Sequence, residues 1–424
     1  MPDRTKQPEI KSFQKIHLLD YQKTQLSNGI PVYIFSGGDE AVTKIDINFY
    51  AGSWHQPLPL IAPSVAKLMK SGTHSRTAHQ IASEIDFYGA SLASVANRDM
   101  SIVSMLTLNR YLEEMMSLTE DIVKKPSFPD KEISIYSRNQ LQRLKVNEQK
   151  VNYLAKTRFT NYLFGDEHPY GKYLKEEYFE NLTIENLQSF HRQYYNSDNC
   201  YILLSGKVPE KALKIADQHF GGEDWNGHPA ENKHHEVRSA PADNYHIPIE
   251  GAVQKAIRMG KVLFNRSHPD YPSMKIVNTV LGGYFGSRLM KNIREDKGYT
   301  YGIFSNVISL RNEGYFTISA ETGSQVTDKA LEEIHKEISK LQNDLIEDEE
   351  LHTVKNYMLG NALRMIDGAL AAGDFFKVLY ESGLDEDYFY RYIDKIKNIE
   401  KEEIRSMAQK HLDKENFIQL IAGG

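Results

Sequence analysis

Two stretches of the chain, 217 positions apart, share one pattern of hydrophobic and polar residues. The segments at 184–208 and 399–424 each read as an amphipathic helix, a polar turn and an apolar strand that ends on glycine. Within them Asn199 matches Asn416. A repeat of about half the chain length predicts two copies of one structural plan.

A second pair of segments, beginning at Met100 and Tyr315, agrees with this duplication. Each predicts a strand, then a long helix, then the start of another helix. The helices carry apolar residues at helical spacing, and we expect these stripes to pack in the core. The stripes are Leu112, Met115, Met116, Leu118, Ile122 and Val123 in the first copy, and Leu331, Ile334, Ile338 and Leu341 in the second.

The predicted strands come in neighbouring pairs, such as Thr24–Ser27 with Pro31–Phe35, and lie beside long helices. This arrangement favours an α+β fold over a doubly wound sheet. We therefore predict two homologous domains, residues 1–220 and 249–424, each an antiparallel sheet with helices on one face. The Gly-, Pro-, Asn- and His-rich stretch 221–248 is predicted to be the linker.

Composition narrows the function classes. The 424 residues are 40% hydrophobic and 25% charged, with a net charge of −6, which is typical of a folded protein. Charge is spread without long basic blocks, which argues against a nucleic-acid partner. No apolar run reaches the length of a membrane span, so we predict no membrane partner and a cytoplasmic location. The lone cysteine, Cys200, excludes an internal disulfide and is predicted to be a core residue.

Several short motifs follow one another between residues 51 and 99. They are the Ala-Gly-Ser opening at Ala51, Ser71-Gly72-Thr73, Arg76-Thr77, the Gly89-Ala90 turn and Asp99. In these motifs, and in its two-copy plan, the chain resembles the pitrilysin/insulinase family of zinc peptidases. The resemblance covers nearly the whole chain and implies two homologous α+β domains.

In that family a helix before the Gly-Thr pair carries His-x-x-Glu-His, and a later glutamate completes the zinc site. The corresponding residues here are Pro63, Ala66, Lys67 and a position near Arg143. Proline and alanine offer neither a ligand nor a base, and the lysine ammonium repels a dication. Glu148 is the nearest acid, about a turn further along its helix. The resemblance therefore implies no zinc on this chain.

Six histidines elsewhere in the chain are the candidate ligands of a relocated metal site. For each of them a structural role is the stronger interpretation. His74 and His79 are five positions apart and do not share a helical face. His234 and His235 lie in the predicted linker, and His168, which precedes Pro169-Tyr170, is predicted to be a turn residue. The six candidates are His55, His74, His79, His168, His234 and His235.

The segment that begins at Leu281 resembles a characteristic stretch of the family's second domain. It retains Arg294 and Tyr301, which in the family reach the zinc cleft from the opposite domain and bind substrate. The alternative interpretation is that Arg294 pairs with a surface acid and that Tyr301 packs in a strand. The segment Leu92–Val95 lies where the family adds a peptide by strand pairing, with Ala93 in place of the family's Asn.

Together these features predict a non-catalytic subunit of a heterodimeric zinc peptidase. Its expected partners are a zinc-bearing homologous subunit and a peptide substrate, to which it supplies Arg294 and Tyr301. A purely structural scaffold and an active metalloendopeptidase with a relocated metal site are the alternatives.

Overall fold

The fold is described from a computed structural model, which covers Thr5 and residues 16–424. The predicted first domain begins at residue 1, and its residues 1–4 and 6–15 lie outside the described part of the chain.

The first half of the described chain forms a sheet with helices packed on it. Its strands are β1 (Gln22–Gln25), β2 (Pro31–Ser36), β3 (Val42–Phe49), β4 (Ser91–Ala96), β5 (Ser101–Leu108) and β6 (Cys200–Gly206). Its helices are α1 (Ile61–Leu68), α2 (Ala78–Phe87), α3 (Leu112–Lys124), α4 (Asp130–Glu148), α5 (Val151–Phe164), α6 (Ile184–Tyr194) and α7 (Ala212–Phe220).

The second half forms another sheet and another set of helices. Its strands are β7 (Asn244–Ile247), β8 (Gln254–Leu263), β9 (Thr300–Ser309), β10 (Gly314–Gly323) and β11 (Ile418–Ala422). Its helices are α8 (Tyr271–Gly282), α9 (Thr327–Asn343), α10 (Asp348–Arg364), α11 (Gly368–Glu381), α12 (Asp387–Asn398) and α13 (Lys401–His411). A π-helical turn, Met290–Asp296, precedes β9.

The two sheets share one five-stranded topology, to which β1 adds an edge strand in the first half. The first has the order β1-β2-β6-β3-β5-β4 and the second the order β7-β11-β8-β10-β9. Each is antiparallel apart from one parallel pair, β2 with β6 and β7 with β11. Helices α6 and α13, which lead into the last strand of each half, differ by 217 at both ends. The predicted α+β fold with internal duplication is confirmed.

The predicted apolar stripes form the centre of the two main hydrophobic cores. Every stripe residue of α3 is at most 1% exposed, and those of α9 are at most 8% exposed. These stripes face the sheet of their own half, so the helical period of the sequence identifies the core directly.

The other face of each sheet is partly covered by a helix from the opposite half. Helix α11 packs on β2 and β6, and helix α5 packs on β8 and β11. The contact of α11 includes Tyr33, Phe35, Tyr201, Leu203 and Ala372. The sequence predicts helices on one face of each sheet, and this holds for the helices of the same half. The other face is covered by a helix of the opposite half, so the exchange of α5 and α11 joins the two halves.

The predicted linker contains a short strand. Residues 221–243 run mostly without helix or strand, but β7 lies inside the predicted 221–248 and pairs in parallel with β11. Strand β7 reads Asn-Tyr-His-Ile, too short and too polar at the sheet edge to carry a detectable alternation of apolar residues.

Charged side chains lie buried where α11 meets the first sheet. Asp46 of β3 is fully buried, and Lys377 Nζ of α11 lies 2.6 Å from its Oδ2. Asp374 accepts hydrogen bonds of 2.7 Å from both Lys377 and Lys44. These two lysines and two aspartates tie the halves together through a neutral network.

Glu381, at the end of α11, lies beside this network. Burial raises its pKa from its ordinary 4.5 to about 7, although a 3.0 Å hydrogen bond donated by the Tyr201 hydroxyl acts in the opposite direction. A carboxyl group whose pKa is raised on folding stabilises the fold while it is protonated. That contribution is present below pH 4.5 and is lost as the pH rises through about 7.

Glu381→Gln is expected to remove this pH dependence while it keeps an acceptor for Tyr201. The unfolding free energy of wild type falls between pH 4.5 and about pH 8, whereas that of the variant does not. The difference between the two therefore grows by about 3 kcal/mol over this range in favour of the variant. Urea unfolding at several pH values measures it. Glu180→Gln, at an exposed glutamate, is the control and leaves the pH profile unchanged. Equal pH profiles of wild type and Glu381→Gln would contradict the prediction.

Two further observations concern membranes and the cysteine. Among the residues described, no helix is long and apolar enough to cross a membrane.

The predicted core position of Cys200 is confirmed, since the residue is 7% exposed at the start of β6.

Candidate functional site

The helix that would carry a His-x-x-Glu-His motif is α1. Pro63 is accommodated because it lies in the first turn, where the backbone N–H has no helical partner. Ala66 is buried and Lys67 is exposed in the last turn. The surface of α1 at these positions therefore offers a ring, a methyl group and an ammonium group, none of which coordinates zinc.

The fourth position, Arg143, lies on α4. Burial raises the pKa of Tyr136 on the same helix, while Ser64 of α1 and the charge of Arg143 act to lower it. Because Ser64 of α1 and Arg143 of α4 both act on the Tyr136 hydroxyl, α4 lies beside α1 near Arg143. The position of a third ligand is thus occupied by a second cation, and the four residues do not fit a zinc ion.

The short motifs around α1 hold the chain in place. Thr73, which follows the Ser-Gly pair, donates a 2.6 Å hydrogen bond to Asp121 of α3. Arg76 forms ion pairs with Asp121 at 2.7 Å and with Glu84 at 3.0 Å. Thr77 caps α2 through a capping box with Gln80. These residues position α1 and α2 whether or not a metal is bound.

Asp99 is also structural. It accepts hydrogen bonds from the Tyr170 hydroxyl and, at 3.1 Å, from the backbone N–H of Arg311 in the second half. Burial raises its pKa, although these donors oppose the shift. Asp99 therefore links the halves, and its charge lies near Glu381.

The histidines do not form a metal site. His168 Nδ1 accepts the backbone N–H of Tyr170 at 3.1 Å, which makes it a turn residue as predicted. The His235 ring lies 6.0 Å from that of His168, and both flank Trp54. Across residue 5 and residues 16–424, no group of three or more histidine, cysteine, aspartate or glutamate side chains is arranged to hold a metal ion.

His74 and His79 lie apart from this group, whereas His55 lines the same cavity as Trp54 and His235. His79, in the first turn of α2, has its Nδ1 3.5 Å from Ser83 Oγ, and His74 is exposed in the preceding loop. Burial lowers the pKa of His55 to about 4, and its ring lies 5.2 Å from that of Tyr194.

Arg294 and Tyr301 lie together. Arg294, in the π-helical turn, donates from Nε to the carbonyl oxygen of Tyr301 at 3.0 Å. Its guanidinium lies 4.5 Å from the centre of the Phe285 ring, and Glu295 is 3.9 Å away. Tyr301 does not pack in its strand, because its side chain is 94% exposed. The pair forms a surface that carries one cation and one phenol.

Two features of this surface were missed by sequence reasoning. Phe285, 59% exposed, supports the Arg294 guanidinium, and its only signal was its place beside the Gly residues of the segment from Leu281. A recess of about 350 Å³ next to Tyr301 is lined by Arg258, Glu321 and Phe304 among others. These lining side chains come from three strands, so no local sequence motif predicts the recess.

Each sheet ends on an edge strand that contains residues predicted to be functional. Strand β4, which contains the segment Leu92–Val95, is the last strand of the first sheet, and β9, which carries Tyr301, is the last strand of the second. Ala93 and Val95 of β4 are exposed. The predicted edge position of this segment is confirmed, while its contact with a peptide stays a prediction.

Comparison with known sequences decides the family. The profile described as "Insulinase (Peptidase family M16)" matches residues 46–167, and that described as "Peptidase M16 inactive domain" matches residues 181–358. The two matches together span more than half of the chain.

The chain belongs to the insulinase family. The relatives include "Uncharacterized zinc protease YmxG" of Bacillus subtilis, 21% identical over 80% of this chain and 83% of the relative. "Probable inactive metalloprotease YmfF" of the same organism is 23% identical over 74% of each chain. An "Uncharacterized zinc protease" of Rickettsia felis is 23% identical over 92% of this chain and 95% of its own.

Solved structures share the fold. A chain described as "peptidase M16 inactive domain" from Pseudomonas fluorescens has a TM-score of 0.86 at 22% identity and covers 96% of this chain and 98% of its own. A protease from Helicobacter pylori has a TM-score of 0.86 at 16% identity and covers 96% of this chain and 100% of its own. At these identities the solved structures show the fold. The match to the inactive-domain profile and to a relative named a probable inactive metalloprotease, with the four mismatched positions, makes the chain an inactive member of the insulinase family.

The absence of zinc ligands makes a direct prediction. The purified chain is expected to contain less than about 0.1 zinc per molecule, because structural or catalytic sites need three or four N, O or S ligands. Elemental analysis after dialysis measures this ratio. Stoichiometric zinc, together with peptide hydrolysis that a chelator abolishes, would instead establish a relocated metal site.

Proposed function

We propose that this chain is the non-catalytic subunit of a heterodimeric zinc peptidase and supplies Arg294 and Tyr301 to the active site of a zinc-bearing homologous chain. The observation that carries the proposal is the combination of two features. The four positions of the zinc ligands and the catalytic base, on α1 and α4, are replaced together. The Arg294–Tyr301 pair is intact, with Tyr301 exposed and Arg294 half-buried.

The geometry of the pair supports a role toward another molecule. The Tyr301 hydroxyl has no hydrogen-bond partner within residues 16–424, so it is free to donate. Arg294 is oriented by the Tyr301 carbonyl and by the Phe285 ring, which limits its freedom before any ligand binds. A fixed cation and a phenol stabilise the negative charge that develops on a carbonyl oxygen during peptide hydrolysis.

Peptide binding is the second part of the proposal. The edge of β4 carries backbone N–H and C=O groups that no strand in the described chain pairs, and an extended peptide adds to such an edge by main-chain hydrogen bonds. Val95, 61% exposed on this strand, offers apolar contact to alternate side chains of the peptide.

The pairing is tested by co-expression with a homologous chain that carries intact His-x-x-Glu-His. A 1:1 complex on size-exclusion chromatography, with zinc in the partner alone, is the expected result. If a 1:1 complex forms but its activity is unaffected by substitution of Arg294 and Tyr301, the chain is a structural scaffold. If no complex forms with any zinc-bearing homologue of its own genome, the proposal is wrong.

A further inference from the structure

Two cations in the second half lie near each other without an acidic partner. Arg266 follows β8, and its guanidinium lies 5.7 Å from the centre of the Tyr271 ring, in the first turn of α8. Lys275 lies one turn further along the same face of α8. Within residues 16–424, neither the Arg266 guanidinium nor the Lys275 ammonium group forms a hydrogen bond or an ion pair.

Three phenol groups lie around the two cations. Tyr388 and Tyr392 come from α12, which packs on α8, and their rings are nearly parallel at 6.3 Å. Burial raises the pKa of both hydroxyls, and the charge of Arg266 acts in the opposite direction. In the described part of the chain, the hydroxyls of Tyr271, Tyr388 and Tyr392 have no hydrogen-bond partner. We call Arg266, Lys275 and these three tyrosines the α8 cluster.

The acids that flank α8 are paired with other cations. Asp270, immediately before α8, accepts hydrogen bonds from Lys410 at 2.6 Å and from His411 at 2.8 Å. Glu403 of α13 forms an ion pair of 3.0 Å with Lys395. These carboxylates therefore do not neutralise the α8 cluster.

The lack of a counter-ion disfavours the charged form of Lys275. Burial, and then the charge of Arg266, lower the pKa of Lys275 from its ordinary 10.5 to about 8, and no carboxylate opposes this shift. Proteins pair their buried charges, because an unpaired charge removed from water is destabilising. Both side chains are only partly buried, so a small solute can reach them. A bound anion would supply the partner that the protein does not.

We propose that the α8 cluster binds a small, doubly charged oxyanion such as phosphate. The planar guanidinium of Arg266 suits two oxygens of such an anion, and the Lys275 ammonium group suits a third. The tyrosine hydroxyls add neutral donors. Two cations also match the charge of about −1.5 to −2 that a phosphoryl group carries near pH 7. The site is distinct from the Arg294–Tyr301 surface and does not depend on the function proposed there.

The test is calorimetric titration of the full-length chain with sodium phosphate at constant ionic strength. Phosphate is expected to saturate one site with a Kd below about 1 mM, whereas nitrate, which carries one charge, is expected to bind at least tenfold more weakly. O-phosphoserine distinguishes two sources of the anion. An affinity close to that of phosphate assigns the site to phosphoryl groups of larger molecules, and an affinity at least about tenfold lower assigns it to the free ion.

Variants assign the binding to the α8 cluster. Arg266→Gln and Lys275→Met are each expected to weaken phosphate binding at least about tenfold, and Tyr392→Phe several-fold. Arg138→Gln, at an exposed arginine of α4, is the matched control and keeps the wild-type affinity. In phosphate-free buffer Lys275→Met is expected to unfold at the wild-type temperature or above it, because it removes a charge that has no partner. Its loss of binding then does not come from unfolding.

Three outcomes would overturn the proposal. The first is the absence of saturable phosphate binding up to about 10 mM. The second is equal affinity for nitrate and phosphate. The third is equal phosphate affinity of wild type, Arg266→Gln and Lys275→Met.

Discussion

Arg294→Ala in this chain is expected to lower kcat/KM of its complex with the zinc-bearing homologous chain about 100-fold, while the zinc content of the complex stays unchanged. Removal of one preorganised group that stabilises an oxyanion typically costs a factor of about 100 to 1,000 in rate. The guanidinium is already held by the Tyr301 carbonyl and the Phe285 ring, so its loss is not replaced by a neighbouring side chain.

Substitutions at the second residue separate the roles of the pair. Tyr301→Phe removes only the exposed hydroxyl, and we expect a drop of at least tenfold in kcat/KM without any change in unfolding free energy. Arg294→Lys keeps the charge but loses the planar guanidinium that lies over Phe285, so it restores only part of the activity.

The matched control is Arg138→Ala, on an exposed face of α4. It keeps full activity if the effect belongs to the Arg294–Tyr301 surface. Wild-type activity of the complex that carries both Arg294→Ala and Tyr301→Phe would contradict the catalytic role and leave the scaffold as the function.

Lys377→Met is expected to lower the unfolding free energy of the chain by about 3 kcal/mol. The substitution leaves Asp46, which is fully buried, without its 2.6 Å partner. Removal of one partner from a buried ion pair costs about 3–5 kcal/mol, and the lower end applies because Lys44 remains 3.3 Å from the same oxygen.

Urea unfolding of three variants tests this reasoning. The double variant Asp46→Leu with Lys377→Met is expected to recover most of the loss, since no buried charge is left alone. Arg238→Met breaks an exposed ion pair of 2.8 Å with Glu236 and is expected to cost less than about 1 kcal/mol. Equal losses for Lys377→Met and Arg238→Met would show that the inter-half network does not stabilise the fold.

The sequence predicts the elements whose signal is local. The stripe from Leu112 to Val123 identified the core face of α3, and the 217-residue repeat gave the relation between α6 and α13. The exchange of α5 and α11 between halves is different. The outer face of α11 is partly aromatic, but nothing in its own periodicity says that it packs on β2 and β6, which lie more than 150 residues away.

The site divides in the same way. The loss of zinc ligands at Pro63, Ala66 and Lys67 is visible in a linear motif, so it was predicted from sequence. The 94% exposure of Tyr301 and the support of Arg294 by Phe285 depend on how the π-helical turn joins β9.

We propose that this chain completes the active site of a zinc-bearing homologous chain. The most direct measurement is peptide hydrolysis by this chain alone, by a zinc-bearing homologue alone and by their mixture at equal concentration. We expect no hydrolysis by this chain alone, little by the homologue alone, and a rate at least about 100-fold above that of the homologue from the mixture. A homologue that is fully active alone and unchanged by addition of this chain would contradict it.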